Sequence, residues 1–294
     1  MLIVIVGPTG SGKTSIALAL AKHFHAPIIN ADAFQIYRDM NIGTAKVKQG
    51  SDAYKKHYLL DIVSPNETYS VKEYQSDFRK AYLSLKDKFD NIIVCGGTGL
   101  YIKAALYDYR FEDEEEADIS DLEELNNEEL YSLLKRLDSK ATETIHINNR
   151  KRVIRAIQIA RTHALNKSEN IDKQEHDLFF KNEKVKFYFL NPNREELYIN
   201  INTRVDQMFE QGLVDEVKQL LNKYELSRTA KAAIGYKEVI DYLDDKYSLE
   251  ECKELIKKRT RNYAKRQVTF FKHQLPCLEF DNKDVLLKEA LNHE

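Results

Sequence analysis

Leu2 to Val6 is an unbroken apolar run at the start of the chain. It is too short for a core helix and has the density of a strand buried on both faces of a parallel sheet. In SIALALAKHF, from Ser15, apolar residues recur at helical spacing. PIINA (residues 27–31) reads as a second strand and NIIVC (91–95) as a third. Between them, Ser70 and Glu73 form a capping box, and Tyr74, Phe78, Tyr82 and Leu85 make the buried stripe of the helix it starts. GGTGLY turns from the third strand into another helix, and KVKFYFLN (184–191) reads as a returning strand. This alternation predicts an α/β fold, a doubly wound parallel sheet whose ligands sit at the strand C-termini.

The alternation breaks at Phe111, where FEDEEEADISDLEEL carries nine acidic residues in fifteen. A run of like charge is expected to be a solvated connection. Mostly helical, polar sequence follows to about Asn182. The predicted division is a core of residues 1–110 and 183–294 with helices completing its C-terminal part, and a mostly helical insertion of residues 111–182. Gly212 and Gly235 are the expected interruptions of the C-terminal helices.

Composition adds little to this picture. With 43% hydrophobic and 31% charged residues, the 294-residue chain can bury a core under a soluble surface. Its formal charge of -2 points to neither a nucleic-acid nor a membrane-surface protein, so local clusters carry any such signal. Cys95, Cys252 and Cys277 have no ligand spacing and read as reduced thiols without zinc. No charged segment precedes the first strand, and no apolar stretch reaches the roughly 18 residues of a membrane span. The expectation is a cytoplasmic protein with no membrane partner.

GPTGSGKT, residues 7–14, has the spacing of a P-loop between strand and helix. Gly7, Gly10 and Gly12 let backbone amides turn inward around an anion, with Thr9 and Ser11 between them. The following helix adds its dipole, Lys13 a point charge and Thr14 a hydroxyl suited to Mg²⁺. A typical ATPase would next show an apolar strand ending in Asp. Here the strand ends in Cys95 and runs into Gly96-Gly97-Thr98-Gly99. Asp32 follows the second strand. With Gln35 three residues later it reads equally as a helix cap or as a base for an acceptor nucleophile.

Four blocks in order, GPTGSGKT, NADAFQIYRDMNIGTAK, LLDIVSPNETYSV and VCGGTGLY, resemble the tRNA dimethylallyltransferases, the tRNA isopentenyltransferase family. NRKRVIRAIQIA, INTRVDQMFEQGLVDEV, AIGYKE and TRNYAKRQVTFFK extend the likeness over nearly the whole chain. The resemblance implies transfer of a dimethylallyl group from its diphosphate to the exocyclic amine of an adenosine. That adenosine lies 3′ to the anticodon, in tRNAs reading codons that begin with U. Matched residue by residue, Asp32 is the base, Thr98 the hydroxyl at the bridging oxygen, and Arg204 the arginine that gathers the diphosphate. Gly12, Lys13 and Thr14 hold that diphosphate with Mg²⁺. The chain departs from the family pattern at Ala33, Asn41, Val47 and IHINNRKR.

Two segments are locally basic. His146 to Arg161 has five Lys or Arg and no acid, and Lys253 to Lys272 has eight against Glu254. Lys258, Arg261, Lys265 and Lys272 fall within about 60° of arc on a helix, beside an apolar face of Ala264, Val268, Phe271 and Leu275. With the resemblance, these segments are expected to track the phosphates of a tRNA anticodon stem-loop. Gln35, Arg152, Arg155, Lys258, Arg261 and Lys265 are the candidate tRNA contacts, and the insertion is expected to share in them. The protein is expected to be a monomer. Rival readings are prenyl transfer to free adenine nucleotides, a P-loop small-molecule kinase, and a non-catalytic RNA-binding protein.

Overall fold

Every strand of the computed structural model runs parallel to its neighbours. The structure describes residues 1–109, 111, 119–162, 178–179 and 183–292. Acidic residues 112–118 and the segment 163–177 of the expected insertion lie outside the described residues.

β1 (Leu2–Val6), β2 (Ile28–Asn30), β3 (His57–Tyr58), β4 (Ile92–Gly96), β5 (Val185–Leu190) and β6 (Leu278–Phe280) form one sheet in the order β3-β2-β4-β1-β5-β6. Two of these correct the sequence reading. NIIVC is the fourth strand rather than the third, because two-residue β3 comes before it. The C-terminal region is not wholly helical, because β6 adds to the sheet edge beside β5. β1 is central, with Val6 level with Gly96 on one side and Phe189 on the other, while Asn30 of β2 is level with Cys95. The C-terminal ends of β1, β2 and β4 are therefore adjacent, and their outgoing loops must converge.

The helices are α1 (Lys13–His23), α2 (Asp52–Lys55), α3 (Val71–Leu85), α4 (Gly99–Leu106), α5 (Ser120–Glu123), α6 (Asn127–Leu137), α7 (Ala141–Thr144) and α8 (Arg150–Thr162). Beyond β5 come α9 (Arg194–Glu210), α10 (Leu213–Lys223), α11 (Arg228–Lys231), α12 (Tyr236–Leu243), α13 (Leu249–Gln274) and α14 (Lys283–Leu291). α3 has the Ser70–Glu73 capping box and buries Tyr74, Phe78, Tyr82 and Leu85. Gly212 and Gly235 stand at the N-caps of α10 and α12, where both have positive φ. No described helix is long and apolar enough to cross a membrane.

The chain divides into two compact units, Met1–Leu106 with Phe180–Glu294, and Tyr107–Phe179. The smaller unit packs Leu122, Leu130, Leu134, Val153, Ala156 and Ile157 as its core. Arg150 donates to the carbonyls of Leu122 and Glu123 at 3.0 and 2.8 Å, and Arg161 clasps both carboxylate oxygens of Asp121. In the larger unit, Tyr37, Met40, Leu213, Val217, Tyr236 and Ile256 form a core that seats the 34–46 loop against α10, α12 and α13.

Candidate active site

The P-loop turns because Gly12 adopts φ 91°, a left-handed conformation that costs glycine little. No side chain caps α1 at Gly12; the Ser15 amide bonds the Gly12 carbonyl at 3.0 Å, and the Lys13 and Thr14 amides are left to an external acceptor. Ser11 lies in the same turn, its Oγ buried and without a hydrogen-bond partner among the described residues. A buried hydroxyl left unmade costs free energy, and an anion in the loop would satisfy it. Lys13 is half-buried, and its Nζ reaches the Pro8 carbonyl at 3.3 Å. Burial holds the Lys13 ammonium below the ordinary lysine range; Cys95 and Asp32 favour the charge, and Arg204 opposes it. Burial raises the Cys95 thiol to about 11, so it stands beside Lys13 as a neutral group. The Thr14 hydroxyl contacts that thiol.

Asp32 does not cap a helix, because residues 33–36 form a turn. Its Oδ1 accepts from the Phe34 amide at 3.0 Å and the Gln35 amide at 3.3 Å. Gln35 does not close a capping box either, since its Nε2 donates to the Thr44 carbonyl at 3.1 Å. No described hydrogen bond engages Asp32 Oδ2. Thr98, from the end of β4, accepts the Ala33 amide on Oγ1 at 3.0 Å, which leaves its own proton to be donated elsewhere. Tyr263 on α13 makes a hydroxyl contact with Thr98, and burial raises its phenol to about 12.

Arg204 comes from α9. It donates to Thr9 Oγ1 at 3.1 Å and to the Thr44 carbonyl at 3.4 Å, and the charge of Asp32 supports its own against desolvation. The Thr44 carbonyl is placed from behind by Glu216. That carboxylate accepts three successive amides, those of Asn41, Ile42 and Gly43, and the hydroxyl of Tyr236 at 2.6 Å. A Cβ on Gly43 would lie 2.4 Å from the Tyr236 ring, so only glycine fits there.

A cavity of about 300 Å³ opens beside Asp32, Thr44 and Arg204. Thr9, Asp32, Arg204 and Arg266 supply polar walls, while Ile201, Val205, Met208, Ile234 and Ile256 supply apolar ones. Phe34 lines it too. Tyr37 is instead buried in the core, and Tyr101 stacks on Tyr74 with centroids 4.1 Å apart.

Sequence reasoning missed Tyr263, Arg266 and Gln267, although all three lie inside the quoted TRNYAKRQVTFFK block. Gln267 Oε1 accepts the Thr9 amide at 2.9 Å. Thr9 is thus engaged through amide and hydroxyl alike, which narrows its expected role in holding diphosphate directly.

The expected basic track is also narrower than its sequence. Lys253 pairs with Glu250, Lys257 with Asp206 and Glu254, Arg259 with Glu238 and Lys272 with Glu279. Arg261 is half-buried, donates to Asn202 Oδ1 at 2.6 Å and lies over the Tyr198 ring. Lys258 and Lys265 remain exposed. In the smaller unit, Arg152 and Arg155 are exposed on α8.

Residues 35–274 match the family described as IPP transferase. A tRNA dimethylallyltransferase of Anoxybacillus flavithermus is 41% identical over 295 residues, covering 100% of this chain and 94% of its own. Another, from Bacillus anthracis, is 41% identical over 287 residues, 96% of this chain and 90% of its own. Among solved structures, the tRNA delta(2)-isopentenylpyrophosphate transferase of Staphylococcus epidermidis is 37% identical with a TM-score of 0.71, covering 99% of this chain and 97% of that one. A eukaryotic dimethylallyltransferase acting on tRNA gives 28% identity and a TM-score of 0.81 over 99% of this chain and 77% of its own.

Proposed function

The chain belongs to the IPP transferase family, the tRNA dimethylallyltransferases, and on that premise we propose that it prenylates tRNA by direct displacement. The donor is dimethylallyl diphosphate. The acceptor is the exocyclic amine of the adenosine 3′ to the anticodon, in tRNAs reading codons that begin with U. One observation carries the reading: Asp32, Thr9 and Arg204 line one partly apolar cavity, and Thr98 and the rest of the phosphate loop stand at the adjacent strand ends.

In this reading the amine nitrogen attacks the first allyl carbon as the bond from that carbon to the bridging oxygen breaks. Asp32 Oδ2 takes the amine proton. Thr98 donates toward the bridging oxygen, which can only accept, while its own oxygen takes the Ala33 amide. Diphosphate leaves into the P-loop, its charge met by Lys13, Arg204 and the amides of Gly12, Lys13 and Thr14. Gly7, Gly10 and Gly12 keep the backbone close enough for those amides to reach it. The apolar walls shield the allyl group and adenine from water.

Mg²⁺ fits the donor set here. Among the described residues no cluster of three His, Cys, Asp or Glu could cage a metal. The Thr14 hydroxyl and diphosphate oxygens offer the sparse hard ligands that Mg²⁺ accepts alongside water. When bound, it would neutralise charge on the leaving diphosphate.

The adenosine has to leave the anticodon-loop stack to reach the cavity. Lys258 and Lys265 in the larger unit, and Arg152 and Arg155 in the smaller, are suited to hold the stem-loop phosphates while it does so. Arg261 and Gln35 would act in that contact from their bonds to Asn202 and Thr44.

Incubation with labelled dimethylallyl diphosphate and unmodified tRNA tests the reading. Label is expected in RNA, dependent on Asp32. No label with an active control enzyme overturns it, preferential labelling of free adenine nucleotides shifts the acceptor, and Lys13-dependent ATP turnover points to a kinase.

A further inference from the structure

Gln267 is the only buried polar residue of α13, 5% exposed on a helix otherwise rich in solvated charge. Both ends of its carboxamide are used. Oε1 accepts the Thr9 amide at 2.9 Å, and Nε2 donates to the Gly97 carbonyl at 2.9 Å. A carboxamide has one accepting and one donating side, so these two partners fix which way it faces. They belong to different arms of the site. Thr9 sits in the loop after β1 and takes the Arg204 guanidinium on its hydroxyl. Gly97 sits in the loop after β4, immediately before Thr98. One turn earlier on α13, Tyr263 makes hydroxyl contacts with both Thr98 and Gln267. A Cβ on Gly97 would lie 2.3 Å from Gln267 Nε2, so a side chain there would push the carboxamide away.

The geometry points to Gln267 as a positioning residue for the allyl donor. It sets the spacing between the arm that takes the leaving diphosphate and the arm that brings Thr98 to the bridging oxygen. The inference rests on the dimethylallyl transfer proposed above. Gln267 touches neither substrate in this role; it acts through Thr9 and Gly97. Lys258 and Lys265 are exposed on the same helix while Gln267 faces inward, so its loss is felt by the donor and not by RNA.

Three variants test this, with donor kinetics and tRNA binding measured separately. Q267M keeps the length and loses both bonds. Q267E keeps an acceptor for Thr9 but faces the Gly97 carbonyl with an anion. G97A leaves Gln267 in place and pushes it off from the other side. Each is expected to lower kcat/KM for dimethylallyl diphosphate by about a hundredfold, the order of effect of a 1 Å misplacement. The Kd for unmodified tRNA should stay within about twofold. The double variant G97A/Q267M should be no worse than either parent, because both break one clamp.

A Q267M enzyme with wild-type donor kcat/KM overturns the proposal. So do parallel losses in donor and tRNA affinity with a lowered melting temperature, which would make Gln267 a packing residue. If Q267M does not fold, G97A decides by the same donor measurement. A wild-type chain that transfers no label counts against the proposed reaction itself, which separates the two failures.

Discussion

Asp32 lines the cavity and accepts the amide of Phe34 on Oδ1 at 3.0 Å, and no described hydrogen bond engages its Oδ2. The turn bond and the proposed base are therefore compatible at this residue, because the turn occupies one oxygen. D32N keeps an acceptor for the turn and loses the base. It should fold with a near-normal melting temperature and lose about 10²–10⁴ of transfer. D32A loses both tasks and should also melt earlier. A D32N enzyme with wild-type transfer returns Asp32 to the turn alone.

Lys13 is held at a cost to the fold. Burial lowers its pKa below the ordinary 10.5, so the folded chain releases this proton before the unfolded chain does. Between the two values the unfolded state binds more protons, and the Lys13 contribution to stability rises with pH. Donor capture runs the opposite way. kcat/KM for the donor should fall on the alkaline side, with an inflection below 10.5. K13M should abolish transfer yet melt about 2 °C higher for each kcal/mol of relieved desolvation. Calorimetry with and without diphosphate checks this, since K13M should lose the ligand-induced rise.

Glu216 organises the 41–44 loop from outside the cavity. E216A leaves three amides and the Tyr236 hydroxyl without their acceptor and should cost about 2–3 kcal/mol, the scale of hydrogen bonds to a charged group. Y236F should cost about 1 kcal/mol. Denaturant midpoints of both variants and of the double variant should show coupling, since the residues share a bond. Transfer by folded E216A should drop as well, because the Thr44 carbonyl no longer steers Arg204.

Charge removal on α13 should be unequal. K258A and K265A should each weaken tRNA binding and reduce its salt slope by about one. R261A should change binding less steeply with salt, because Arg261 is spent on Asn202 and Tyr198. Donor KM should hold in K258A and K265A. Salt titration of tRNA affinity reads all three.

Elements that announce themselves by a run or a period were legible in the sequence. β1 and the α3 capping box are examples, the latter because Ser70 and Glu73 are three residues apart. β3 and β6 were not, since two- and three-residue strands with exposed positions contain no apolar run to read. The P-loop, Asp32 and Thr98 could be found because each follows a readable strand. Gln267 could not, because a glutamine in a basic helix resembles any solvated residue until its partners are known. The ion pairs that thin the α13 track were hidden for a related reason. Asp206, Glu238 and Glu279 lie on other elements, and local charge counts do not see them.

Thr9 and Gln267 meet across 258 positions of chain, and central β1 pairs with β5 only at residues 185–190. Contacts of such sequence separation form late, after the loops between them have closed. A nascent chain leaving the ribosome therefore has its phosphate loop long before Gln267 emerges to accept the Thr9 amide. On the proposed role of Gln267, a growing polypeptide that has not yet added α13 has no finished donor site with which to sequester allyl diphosphate.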